Sequence, residues 1–162
     1  MNLRAAYDED LSRVISWISD RNQCKLWAGP AVNFPLSVDS LKPQISYTPE
    51  NSLCIEQEGE LVAFGQLIRK SEHRLHFARI IVNPTERRKG YGRILCRGLI
   101  EKAVGQRCDR ITLNVYRTNP AAMKLYERLG FEERQPPAED QPLKDNCFME
   151  FQPKAAKRQS LK

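Results

Sequence analysis

Residues 78–99 read ARIIVNPTERRKGYGRILCRGL, and their types suit the holding of a pyrophosphate. An apolar strand through Ile80, Ile81 and Val82 is broken by Asn83-Pro84, and Gly90 and Gly92 follow where a helix begins. Glycine lacks a Cβ and lets a ligand come close to the backbone. The free amides at a helix N-terminus, together with the helix dipole, attract an anion. Arg87, Arg88 and Lys89 add positive charge at the same place. A glycine pair at a strand–helix junction also serves plain packing, and an R-x-x-G-x-G run alone does not choose between the two. Two other phosphate chemistries are excluded by residue order. Lys89 precedes Gly90, so no G-x-x-x-x-G-K-[ST] loop exists, and no G-x-G-x-x-G run is present.

A second segment, LNVYRTNPAAMKLYERLGF, spans residues 113–131. Asn119 before Pro120 is a good helix N-cap. Tyr126 lies seven residues further on, two helical turns along the same face; beside Leu125 and Leu129 it also reads as an apolar core residue. His76 offers a base whose ordinary pKa, ~6.5, suits proton transfer at neutral pH. In a regular strand it shares a face with Ala78, Ile80 and Val82. An ordinary strand histidine near a turn with His73 is the alternative. No third ligand accompanies the two histidines, so no metal is expected.

These groups need elements to position them. Asn2–Ala6 reads as a strand, and Asp8, Glu9 and Asp10 open a helix with Leu11, Val14, Ile15 and Ile18 on its apolar stripe. The stretch KLWAGPAVNFPL reads as irregular, with a short helix near Val38–Ile45 that Pro43 makes hard to delimit. Strands are expected at Ser52–Gln57, Leu61–Arg69 and Leu75–Val82, with turns at Glu58-Gly59 and Ser71–His73. A helix over Arg88–Val104, a strand at Arg110–Tyr116 and a helix from Pro120 to Leu129 come next. Phe131–Gln135 and Asn146–Phe151 are the last expected strands, flanking a Pro-rich loop. The order predicts a mixed α/β (α+β) domain over 1–151 and a frayed basic tail over 152–162.

Composition narrows the functional classes. At 162 residues, 41% hydrophobic and 28% charged, the chain has the makeup of one soluble domain. It has no apolar run of the ~20 residues a membrane span needs, and the N-terminal residues are not of signal-peptide type; a cytoplasmic location is expected. Five cysteines without a CxxC pair suit neither a disulfide framework nor zinc and read as buried thiols rather than nucleophiles. The net charge of +6 is concentrated in two clusters, one at Arg87, Arg88, Lys89, Arg93 and Arg97 and one at Lys154, Lys157, Arg158 and Lys162. Nothing in the pattern specifies nucleic acid as a partner.

Together the two segments resemble the GCN5-related N-acetyltransferase (GNAT) superfamily. Arg87-Arg88-Lys89-Gly90-Tyr91-Gly92 matches that family's Q/R-x-x-G-x-G/A signature after a strand ending at Val82, and residues 113–131 match its strand plus N-x-x-A-x-x-x-Y-x-x-x-G-F helix. The resemblance implies a central mixed, mostly antiparallel sheet of about six to seven strands flanked by about four helices. It implies acetyl coenzyme A as cosubstrate, with the pyrophosphate on the amides of Arg87, Arg88, Lys89, Gly90, Tyr91, Gly92 and Arg93. The pantetheine would run along Ile80, Ile81 and Val82, with Asn119 also in contact. It implies Tyr126 as general acid to the leaving thiolate, His76 at the position of a catalytic glutamate, and a Val82 amide polarising the carbonyl. The expected acceptor is an amine of a small molecule or peptide that attacks the thioester directly in a ternary complex, and the protein is expected to be a monomer or homodimer. Asn114 departs from members that acetylate ribosomal-protein N-termini, which carry glutamate there. Trp17, Trp27, Phe34 and the loop 136–144 with Glu139, Asp140 and nearby Asp145 are candidate acceptor contacts, the carboxylates suiting a cationic amine. A non-catalytic acyl coenzyme A binding or sensor module is the alternative function, and a polyanion-binding domain a third.

Overall fold

The structure is a computed structural model that describes residues 1–141 and 143–153. The basic tail expected from Lys154 onward, and Pro142 in the Pro-rich loop, lie outside the described residues. Among the described residues seven strands form one mixed sheet in the order β1-β2-β3-β4-β5-β7-β6. Its strands are β1 (Asn2–Ala5), β2 (Ser52–Gln57), β3 (Glu60–Arg69), β4 (Arg74–Val82), β5 (Arg110–Tyr116), β6 (Glu132–Glu133) and β7 (Asn146–Phe151). Among the described residues five α-helices accompany them: α1 (Asp10–Ser16), α2 (Arg21–Ala28), α3 (Val38–Gln44), α4 (Tyr91–Gly105) and α5 (Pro120–Leu129). The expected mixed fold and strand number hold, with one helix more among these residues than the about four expected.

The chain divides into two compact units, one of residues 1–67 and 78–99, the other of 68–77 and 100 onward. In the first, β1 pairs antiparallel with β2, and β2 with β3. Leu11, Val14 and Ile18 of the α1 region pack with Cys24, Leu41, Ile45, Cys54, Leu61 and Phe64 into one apolar core. Asp8 and Asp10 are not just dipole charges at the start of α1. Asp10 is buried and takes two hydrogen bonds from the Arg4 guanidinium (2.7 and 3.0 Å), while Asp8 pairs with Lys42 (2.9 Å). The residues before Gly29 are helical where no regular structure was expected. Asp20 caps α2 by accepting from the Gln23 amide (2.7 Å), and Gly29 ends it at φ +84°. Pro43 sits within α3, whose start is secured by a Ser37–Ser40 capping box.

In the second unit β4 runs parallel to β5, with Arg74 to Phe77 opposite Arg110 to Leu113. β5 is antiparallel to β7, which also pairs with the two-residue β6, much shorter than the strand expected over 131–135. Phe131 is buried within ring-contact distance of Phe77 (5.3 Å), Phe151 (5.5 Å) and Tyr126 (6.0 Å). This aromatic cluster docks α5 on the Leu75/Phe77 face of β4.

Candidate functional site

β4 carries candidate groups at both ends, and its local geometry decides what they face. Arg79 has φ +53°, a left-handed conformation in the middle of a strand. Such an interruption breaks the two-residue alternation of side chains. The face shared by His76, Ala78, Ile80 and Val82 in a regular strand therefore does not exist as one face. Burial changes at the same place: residues 74–77 are buried, whereas 78–82 are half-buried. The carbonyl of Arg79 accepts from the Trp27 indole (2.9 Å), and its guanidinium donates to Gln66 Oε1 (2.9 Å). Burial pushes that guanidinium's pKa down.

In the first unit Ile80 reaches toward α4: a Cβ added at Gly65 would lie 2.6 Å from Ile80 Cδ1 and 3.1 Å from Leu95 Cδ2. Ile81 packs on the core of α1, α2 and α3. After Val82 comes a 3₁₀ turn, Pro84–Glu86, capped by Asn83. The loop then takes left-handed φ values at Arg88 (+66°) and Gly90 (+89°). These values stop helix formation, so α4 starts at Tyr91 rather than Arg88. A Cβ at Gly90 would meet nothing within 4 Å, so the glycine answers to its backbone angle and leaves open space before the helix. The first-turn amides of α4 have no partner within the helix. Arg87, Arg88, Lys89 and Arg93 are exposed around this turn, with Lys89 Nζ 2.7 Å from Glu86. Open space, helix amides and exposed guanidinium groups fit a pyrophosphate.

In the second unit a line of polar groups crosses one face of the β4–β5–β7 sheet. Both Nη atoms of the buried Arg74 donate to the carboxylate of Asp140 (2.7 and 3.0 Å), and Nη1 also donates to Thr112 Oγ1 (3.0 Å). Thr112 Oγ1 is 2.7 Å from His76 Nδ1, and His76 Nε2 is 3.5 Å from the Asn114 amide nitrogen. Asn146 Nδ2 donates to Asn114 Oδ1 (2.6 Å). Parallel pairing sets His76 opposite Thr112 and so builds this line. Its Nδ1 side is sealed, Thr112 being 0% and His76 7% exposed, whereas Asn114 is exposed.

Several sequence candidates take other places. Asp140 is paired with Arg74 and is not a loose lure for a cationic amine. Glu139 and Asp145 remain exposed. Trp17 is buried in the core, and Trp27 and Phe34 pack against that core. Tyr126 is 7% exposed, with its ring edge-on to Phe131. Asn119 does cap α5, accepting from the Ala122 amide (3.3 Å). His73 lies 3.2 Å from Asp109, away from any histidine-rich cluster, and no metal-holding group of three or more His, Cys, Asp or Glu occurs among the described residues. All five thiols are buried and free, and burial pushes Cys54 and Cys96 up to about 12, which disables them as nucleophiles. Sequence reasoning missed Arg74, Thr112 and Asn146. The signal available was a polar residue at every second position of two apolar strands, R-L-H and T-L-N.

No helix among the described residues is long and apolar enough to cross a membrane. N-alpha-acetyltransferase 30 of Dictyostelium discoideum is 32% identical over 102 residues, covering 60% of this chain and 54% of that protein. Spermine/spermidine N(1)-acetyltransferase of Bacillus subtilis is 27% identical over 111 residues, covering 55% and 73%. This chain spans about half the length, or less, of the first curated relatives it matches. The solved spermidine N-acetyltransferase of Vibrio cholerae, in complex with CoA and spermine, superposes with a TM-score of 0.72 over 93% of this chain and 94% of that one. At 23% identity that likeness shows the fold. The model of the acetyltransferase (GNAT) family matches residues 14–131, which hold both the glycine turn before α4 and the Asn119–Tyr126 helix, and the chain belongs to that family.

Proposed function

We propose that the protein transfers an acetyl group from acetyl coenzyme A directly to an amine of a small molecule or a peptide. The observation that carries this reading is the left-handed Arg88/Gly90 turn, which opens space before the α4 amides beside three exposed arginines. A helix N-terminus so flanked suits the pyrophosphate of acetyl coenzyme A. That its relatives are an N-alpha-acetyltransferase and a spermine/spermidine N(1)-acetyltransferase supports an amine acceptor.

Each residue then has a part. Arg87, Arg88, Lys89 and Arg93, with the amides from Arg87 to Arg93, hold the pyrophosphate. Ile80, Ile81 and Val82 guide the pantetheine by their backbone, Asn119 adds a polar contact, and the Val82 N–H steadies the developing oxyanion. His76 Nε2 takes a proton from the ammonium form of the acceptor, leaving a neutral amine. The amine attacks the thioester carbon, the C–S bond breaks, and Tyr126 gives its proton to the departing thiolate; the second proton that the nitrogen sheds as it becomes an amide replaces the one lost by Tyr126. The buried, pKa-raised thiols argue against a covalent acyl-cysteine.

The test is release of free coenzyme A thiol from acetyl coenzyme A against a panel of polyamines, aminoglycosides and peptides with free N-termini. Turnover with one class and not with amine-free controls is expected. Absence of coenzyme A binding by calorimetry overturns the reading at its first step; binding without any acceptor supports a sensor instead.

A further inference from the structure

We propose that Thr112 and Asn114 are positioning residues that hold the His76 imidazole from both sides and set its proton on Nδ1, leaving the Nε2 lone pair as the proton acceptor. This rests on the reading of His76 as the base.

The Asn146 amide donates to Asn114 Oδ1 at 2.6 Å, which turns the Asn114 oxygen away from the histidine and its NH2 toward Nε2 at 3.5 Å. An NH2 group only donates, so the ring nitrogen facing it presents a lone pair. A neutral imidazole has one N–H, which then sits on Nδ1, 2.7 Å from Thr112 Oγ1. Thr112 Oγ1 already accepts from Arg74, and a hydroxyl oxygen has a second lone pair for the histidine. Arg74 in turn is held by both oxygens of Asp140, so the hydroxyl cannot drift.

Burial gives the arrangement a direction. Arg74 and Thr112 are 4% and 0% exposed, and Asn114 is on the exposed side. The proton-bearing nitrogen therefore faces the sealed interior, and the lone pair faces Asn114 on the exposed side, from which an acceptor would come. The acceptor ammonium displaces the loosely placed Asn114 NH2 (3.5 Å) from Nε2 and gives it one proton, and the imidazolium keeps its Nδ1–H on Thr112. Asn114, which cannot itself be a base, thus acts through the histidine.

The deciding experiment is 15N NMR of the imidazole nitrogens in the labelled 162-residue chain at neutral pH. The two histidines are told apart by a His76→Gln sample. A pyrrole-type Nδ1 and a pyridine-type Nε2 for His76 are expected; an Nε2–H tautomer in the unmodified protein overturns the proposal. A second arm uses Asn114→Asp, an exposed change that puts a carboxylate beside Nε2. It is expected to draw the proton to Nε2 and lower kcat by about tenfold or more, while the KM for acetyl coenzyme A moves little. Thr112→Ser, which keeps the hydroxyl, is expected to retain turnover that Thr112→Val loses. An unchanged tautomer and kcat in Asn114→Asp overturn the proposal, even if Thr112→Val folds poorly. The two readings fail separately. Full turnover by His76→Gln removes the base, whereas the wrong tautomer with an inactive His76→Gln removes the clamp alone.

Discussion

Arg74 shows how a single side chain changes the meaning of another. A buried guanidinium needs a carboxylate, and Asp140 supplies it from a loop 66 residues away. Removing one partner of a buried pair leaves the other uncompensated, a loss of about 3 kcal/mol or more. Asp140→Ala is therefore expected to lower the urea midpoint by that equivalent, measured by circular dichroism. A loss under about 1 kcal/mol would mean the pair is not doing what its geometry suggests. Tyr126 has its ring against Phe131 while its hydroxyl is assigned to the leaving thiolate. Tyr126→Phe keeps the ring, so turnover is expected to fall while coenzyme A affinity, measured by calorimetry, stays nearly constant. An unaltered rate removes Tyr126 from the chemistry.

At the scale of the element, the start of α4 is the feature on which substrate binding is argued to depend. Gly90 at φ +89° is in a region that costs an L side chain about 1–2 kcal/mol. Gly90→Ala is expected to weaken coenzyme A binding at least severalfold, with a drop in melting temperature of a few degrees. Unchanged affinity would place the pyrophosphate elsewhere. The motif was legible in the sequence, but the helix start was not. Helical periodicity runs on from Arg88, and only the left-handed angles at Arg88 and Gly90 delay the helix to Tyr91. The converse held for α2, where the prolines that follow hid a helix whose Asp20 cap was available to be read. Arg79 taught a similar lesson: a left-handed residue within a strand leaves no composition signal, yet it cancelled the face on which His76 had been placed with Ile80.

For the molecule as a whole, the thiols and tyrosines set a common pH response. Burial raises the thiol pKa of all five cysteines and the phenol pKa of Tyr47 and Tyr116. The folded chain thus keeps protons that the unfolded chain gives up, so these groups add stability below their ordinary values and lose it as pH rises. For Cys54 and Cys96 that window runs from the ordinary value of 9.0 to about 12. Unfolding by urea followed from pH 8 upward is expected to become progressively easier across it, and a flat profile would contradict the burial. In the native state at neutral pH, thiol reagents are expected to label these cysteines slowly compared with the urea-unfolded chain.

The sequence by itself determined the family, the mixed fold, the glycine turn and the Asn119 cap, because glycine, proline, capping and strand or helix period act over a few neighbouring residues. It could name His76 but not its surroundings. Thr112, Asn114, Arg74 and Asp140 meet only because β4 and β5 pair in one register and Asp140 returns to Arg74 of β4. Register and loop closure depend on packing of the whole chain, at separations of 36 to 66 residues in this line of contacts. Tertiary structure thus decided that Asp140 is a strut and that the histidine turns Nδ1 to Thr112 and Nε2 to Asn114.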